Sequence, residues 1–338
     1  MNEVRGAWRV VCGVPLLVGS LFALVAIQRL SAQAPHRLTV FNAGSLGRPL
    51  REALNAYAIT APGTEVAQEN AGSLESARKL TELGKIPDII ALADEAIFPA
   101  LLMPRQVGWY AAFARNEMVL AYTDRSVGAG EITPANWTTI LLRPDVRTGR
   151  SDPALDPNGY RTLMVLQLEE RRSGTRGLAA RLLDAMPERY IRPKEADLVA
   201  QLQTGELDYA WSYKSVAQAA GLKYVDLPPE VDLSDPARAD LYATASIRIP
   251  RAVSHDARPA TLRPGAGQAR DSITIRGAPI LYALSIPKEA TNPAGAQAFV
   301  QWLFGPAGRE VLTRNGFTVL DKPVVNGNVP SWLRALAR

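Results

Sequence analysis

Hydrophobic positions along the chain switch between two periods. Short apolar runs read as strands: Leu38 to Phe41, Lys85 to Leu92, Glu117 to Tyr122, Leu207 to Trp211, Tyr224 to Leu227 and Pro279 to Ile286. Between them apolar residues recur at spacings of three and four. Leu46, Leu50, Ala53, Leu54 and Tyr57 share one helix face, and Leu74, Ala77, Leu80 and Leu83 share another. Further helical patterns run over Glu95 to Leu102, Trp137 to Leu142, from Tyr160 to Glu170, Glu195 to Gln203 with a Gly205 stop, Ser215 to Ala220, Pro293 to Leu303 and Pro306 to Arg314. Alternating strand and helix predict an α/β layer built on parallel pairing.

The pattern turns on Asn42-Ala43-Gly44-Ser45-Leu46, which joins a strand to a helix. Ser45 stands where an N-cap belongs, and Pro49 falls in the first turn, where a missing N–H costs little. Gly44 lets backbone come close, and the first N–H groups of a helix face outward at its positive end. The same letters return at Ala71-Gly72-Ser73-Leu74. Each turn alone is what an ordinary capped helix looks like; together they suggest two helix N-termini gripping one anion.

A length of 338 residues gives room for two lobes. The pattern breaks at Thr123 to Ser126, placing a crossover there, and the strand Pro279 to Ile286 brings the chain back. The expected division is a leader over 1–34, lobe 1 over 35–122, lobe 2 over 123–245, and a return to lobe 1 over 246–338. Each lobe is expected to hold a mixed, mostly parallel sheet, with a ligand cleft between the lobes at the two hinge crossovers. Residues 250–271 are rich in Arg, Pro, Ala and Gly and show no period, as a loop or insertion would.

Composition narrows the chemistry. Formal net charge is +5, of which Arg5, Arg9 and Arg29 against Glu3 supply +2 within the first 34 residues. The rest is too mildly basic to argue for nucleic acid. Cys12 is the only cysteine, and His36 and His255 the only histidines, so a thiol-ligated metal or a Ser-His catalytic pair has almost nothing to work with. Residues 1–34 read as an export signal: a basic start, an apolar run from Val10 to Ile27, and Ala32-Gln33-Ala34 as a cleavage signature. The run is long enough to stay as a membrane anchor instead. Either way the body faces outside the cytoplasm.

Two acidic residues stand out. Asp156 opens Asp156-Pro157-Asn158-Gly159-Tyr160-Arg161, at the mouth of a helix, and Glu206 sits in Gly205-Glu206-Leu207-Asp208-Tyr209. Local roles, a helix cap and a solvated turn, account for both equally well.

Several longer motifs occur in a recognisable order: Phe41 to Leu46, Ala71 to Ser73, Arg78 to Lys85, Phe113 to Asp124, Asp156 to Met164 and Gly205 to Ala210. From about Leu38 to Val319 the chain resembles the molybdate/tungstate-binding proteins of ABC importers, in their tungstate-binding branch. The resemblance implies a two-lobed extracytoplasmic protein, without catalysis or cofactor, that captures an oxometalate and delivers it to a membrane permease as a monomer. It implies that Gly44, Ser45 and Ser73 hold oxo groups. It further implies that Asp156 and Glu206 approach the molybdenum or tungsten itself, and that Tyr224 contributes, with Pro157 and Asn158 inside the Asp-Pro motif. Asn158 departs from the pattern, since family members often carry Cys there.

The physics agrees with such a ligand. Carboxylates repel a sulfate or phosphate dianion but suit an anion with a Lewis-acidic centre, for which hard oxygen donors are fitting. The rivals are a binding protein for sulfate or phosphate, which Asp156 and Glu206 disfavour, and an exported hydrolase using Ser45 or Ser73, which lacks a well-placed base. A divalent-cation binder would leave two helix N-termini facing a cation.

Overall fold

The computed structural model describes residues 36–250 and 272–337. The leader with Cys12, residues 10–27 as an anchor, His255 and nearly all of the 250–271 segment lie outside the described residues. No described helix is long and apolar enough to cross a membrane.

The chain opens with β1 (His36–Ala43), a single helical turn Gly44–Leu46, α1 (Gly47–Thr60), β2 (Thr64–Ala71), α2 (Ser73–Thr81), β3 (Ile89–Leu92) and β4 (Trp109–Arg115). A second body follows: β5 (Met118–Tyr122), α3 (Trp137–Leu141), β6 (Thr148–Ser151), α4 (Pro157–Ser173), α5 (Leu178–Asp184), β7 (Ile191–Arg192), α6 (Glu195–Thr204), β8 (Tyr209–Tyr213), α7 (Lys214–Ala219), β9 (Lys223–Asp226) and α8 (Ala239–Tyr242). A two-stranded ribbon, β10 (Ser246–Pro250) with β11 (Ser272–Arg276), precedes the return through β12 (Leu281–Ser285), α9 (Pro293–Phe304), α10 (Pro306–Arg314), β13 (Thr318–Gly327) and α11 (Ser331–Leu336).

Two sheets define two lobes. The first runs β13-β4-β12-β3-β1-β2, the second β7-β6-β8-β5-β9. Parallel pairing is confined to β2-β1-β3 and to β7-β6-β8. The strands that enter or leave at the hinges, β4, β12 and β5, pair antiparallel, so the sheets are less parallel than the alternation suggests.

The first crossover differs from expectation. Tyr122 does not close lobe 1; β5 belongs to the second sheet, and the chain changes lobe at Asn116-Glu117. Residues 118–122 are apolar throughout, as a strand buried on both faces is in either sheet, so periodicity could not assign them. The return is also later than 246: the ribbon lies against α4, where the Gln167 side chain bonds the Ser246 backbone, and the sheet of lobe 1 resumes only at β12.

Local patterns largely explain the elements. Leu50, Ala53, Leu54 and Tyr57 of α1 are buried. Leu83 is not part of the second stripe: α2 ends at Thr81, the chain turns at Gly84 with φ 61°, and Leu83 is 48% exposed. The pattern at Glu95 to Leu102 makes only a short wide turn over Phe98–Leu102. In lobe 1, Phe299 packs edge-on against Tyr57, with ring centroids 5.3 Å apart, and is 1% exposed. Phe299→Ala is expected to cost about 3–5 kcal/mol, read as a lower midpoint in urea unfolding.

Candidate functional site

The C-terminal ends of β1 and β3 in lobe 1 face the C-terminal ends of β6 and β8 in lobe 2. Ser45 is not a helix cap. It lies within the Gly44–Leu46 turn, ahead of α1, and its Oγ accepts a hydrogen bond from the Tyr282 hydroxyl at 2.9 Å. Ser73 opens α2, is fully buried, and its Oγ accepts from the Ala93 backbone N–H at 3.0 Å. Each serine thus spends an acceptor on the protein and keeps its own proton free to donate.

The second helix N-terminus is not open to an anion. The Leu74 and Glu75 N–H groups both point at the Leu155 carbonyl of lobe 2, at 3.1 and 3.4 Å. A Cβ on Gly72 would lie 2.2 Å from that carbonyl oxygen, so this approach requires glycine. Arg78 adds a bond to the Ala154 carbonyl at 2.6 Å. The expected pair of helix dipoles around one ligand is replaced, on this side, by a lobe-to-lobe contact.

Asp156 is the N-cap of α4, behind Pro157 at its first position. One carboxylate oxygen accepts from the Asn158 N–H at 2.9 Å, and the other accepts from the Glu195 N–H at 3.1 Å. One side chain therefore caps both α4 and α6. Glu195 itself is 1% exposed; its Oε1 accepts from the Ser212 hydroxyl at 2.6 Å and from the Tyr213 N–H, while Oε2 has no partner among the described residues. Burial pushes the Glu195 carboxyl up to about 8, with the neighbouring Asp156 adding to the shift and the Ser212 bond opposing it. Burial likewise raises Asp156 to about 6, against the two N–H bonds it accepts.

Arg161, one turn into α4, ties these groups to lobe 1. Its guanidinium bonds the Ala93 carbonyl at 2.7 Å and the Tyr213 hydroxyl at 2.8 Å, and lies 3.3 Å from the Asp94 carboxylate. Tyr160 donates to the same carboxylate. Because Tyr213 accepts from Arg161, its proton too is free to donate. Among the described residues neither the oxygen nor the nitrogen of the fully buried Asn158 carboxamide has a partner, and the buried Ser151 hydroxyl has none either. Buried orphan groups of this kind mark a place where a ligand belongs.

Two expected residues stand elsewhere. Glu206 is exposed, just past the Gly205 stop of α6, and accepts from Gln201 at 2.8 Å. That is the opposite end of α6 from Asp156, roughly 15 Å away along ten residues. Tyr224 lies on the edge strand β9, three strands from β6 and so about 14 Å off, where its hydroxyl accepts from Gln218. The groups that stand beside Asp156 are Glu195, and next to it Tyr213. Glu195 carried no mark in the sequence, because an acid in the first turn of a helix is ordinary dipole compensation. Gly44 lies against Lys194 of lobe 2, so this glycine also sits at the junction.

The chain matches the family model described as bacterial extracellular solute-binding protein over residues 38–318. It belongs to that family. A solute-binding protein of Petrotoga mobilis is 42% identical over 286 residues, covering 85% of this chain and 84% of that one. The molybdate/tungstate-binding protein WtpA of Pyrococcus abyssi is 35% identical over 332 residues, covering 90% and 91%. Among solved structures, the periplasmic molybdate-binding protein of Azotobacter vinelandii superposes with a TM-score of 0.57 at 16% identity, over 84% of this chain and 100% of that one. The sulfate-binding protein SubI of Mycobacterium tuberculosis gives 0.58 at 12%, over 85% and 88%, so these two likenesses speak to fold alone.

The raised carboxyls have a consequence for this solute-binding protein without ligand. Between about pH 4.5 and about pH 8 the folded state keeps a proton on Glu195 that the unfolded chain has released, so stability falls as pH rises through that window. Urea midpoints measured across it are expected to decline, and Glu195→Gln to flatten that decline.

Proposed function

We propose that the protein captures tungstate or molybdate between its lobes and hands it to the membrane permease of an ABC importer, as an extracytoplasmic binding protein without catalytic activity. The observation that carries this reading is the buried pair Asp156 and Glu195, with one Glu195 oxygen unpartnered, opposite the serines of lobe 1. Ser45, Ser73 and Tyr213 each retain a hydroxyl proton for an oxo group. Donors alone would serve any tetrahedral oxyanion. Asp156, a carboxylate above about pH 6, repels sulfate and phosphate beside them, whereas both acids, once Glu195 gives up its proton, can add to a six-valent metal centre as hard oxygen ligands. The names of the WtpA relatives support the same ligand class.

In this reading Asp156 and Glu195 approach the metal, and Ser45, Ser73 and Tyr213 hold oxo groups, with Gly44, Pro157 and Asn158 shaping the walls. Arg161 supplies the buried positive charge that offsets the incoming anion. Glu206 and Tyr224, distant from Asp156, take no part.

Calorimetric titration is expected to give one-to-one binding of tungstate and molybdate and little or no heat with sulfate. Sulfate binding as tight as tungstate would sink the carboxylate argument. Asp156→Asn and Glu195→Gln are expected to weaken tungstate by about tenfold to a hundredfold, the range for a bond to a charged group, whereas Glu206→Gln leaves it unchanged. Gly72→Ala drives a methyl group into the Leu155 carbonyl and is expected to weaken tungstate binding while the urea midpoint of the unliganded protein stays close to that of the parent.

A further inference from the structure

A second interlobe crevice lies on the hinge side of the molecule, beyond the wall formed by Asn116 and Tyr282. It has a volume of about 280 Å³ and takes residues from both lobes and from the first crossover: Arg115, Glu117, Lys214, Gln218, Ser234 and Thr318 line it, with Asn116 and Gly316. That volume is near the lower end of small-molecule sites, about 300–1,000 Å³. Asn116 separates it from the oxyanion site, since its amide bonds Ser215 at 2.7 Å and reaches the Tyr282 hydroxyl at 3.4 Å, and Tyr282 in turn holds Ser45.

The charges in the crevice are unevenly used. Lys214 is committed: its Nζ lies 2.7 Å from Glu117 and 3.0 Å from Asp226 and sits over the Tyr224 ring. The Arg115 side chain makes no hydrogen bond or ion pair among the described residues, and its Nε is buried without a partner. The Thr318 hydroxyl likewise has no partner among the described residues, whereas Ser234 bonds Asp232 and Gln218 is held by Tyr224. An unpaired guanidinium fork matches a carboxylate in plane and spacing, and the free Thr318 hydroxyl suits a hydroxylated tail. Lys214 and Arg115 against Glu117 and Asp226 sum to no net charge, so one carboxylate is welcome there and a phosphate dianion is not.

We propose that this crevice is a separate binding site for a small hydroxylated monocarboxylate, with Arg115 holding the carboxylate. The test is calorimetry on the protein with glycerate as probe, inorganic phosphate as comparison and tungstate as a reference for the other site. Saturable glycerate binding that Arg115→Gln weakens at least tenfold, with tungstate affinity unchanged and phosphate weaker than glycerate, is the expected result. Protein that binds tungstate but not glycerate overturns the crevice site and leaves the oxyanion reading intact. Glycerate binding that survives Arg115→Gln, or is displaced by tungstate, also overturns it. Glycerate binding that depends on Arg115 in protein that ignores tungstate upholds the crevice and removes the oxyanion reading.

Discussion

The site depends on one carboxylate serving two helices. Asp156 takes an N–H from the start of α4 with one oxygen and an N–H from the start of α6 with the other. Both helices therefore point their positive ends at the same small volume, and the positions of Asn158, Arg161 and Glu195 follow from that junction. A buried carboxyl is costly unless it is hydrogen-bonded, and here the backbone supplies both bonds. The same burial still lifts its proton affinity, as it does for Glu195, so the unliganded cleft holds acid groups out of their usual range. A high-valent metal centre is the kind of partner that makes such a cluster favourable.

Around that junction the lobes exchange polar contacts beside the edge-on pair of Tyr213 and Tyr282. Arg161 crosses to the Ala93 carbonyl and Asp94, Arg78 crosses to the Ala154 carbonyl, and the start of α2 takes the Leu155 carbonyl. Groups of this kind can exchange their partners for water with little net change in free energy. Interfaces of that composition suit domains that must move relative to one another.

Much of this could be read along the chain, for reasons that are local. The stripes of α1 and α9, the Gly205 stop and the Asp156 cap are short-range signals, and they appear where the residues place them. What failed was non-local. Residues 118–122 are apolar on both faces, and nothing in them says which sheet they join. Glu206 looked important because it stood in a memorable motif, yet it is a solvated turn residue; Glu195 looked ordinary and is buried. The difference lies in the β6–α4 turn folding back over α6, which no window of sequence contains. Strands β2, β6 and β13 were likewise missed, since Thr148–Ser151 and the polar Thr64–Ala71 lack either strand period.

The Leu155 carbonyl has a meaning beyond packing. It fills the N-terminus of α2 with a neutral dipole from the residue next to Asp156. Lobe 1 therefore carries a stand-in for its ligand that arrives only when lobe 2 does. Capture and docking become one event sensed at a single peptide unit, and a permease that pulls the lobes apart at that unit would uncap a helix and disturb Asp156 in the same stroke.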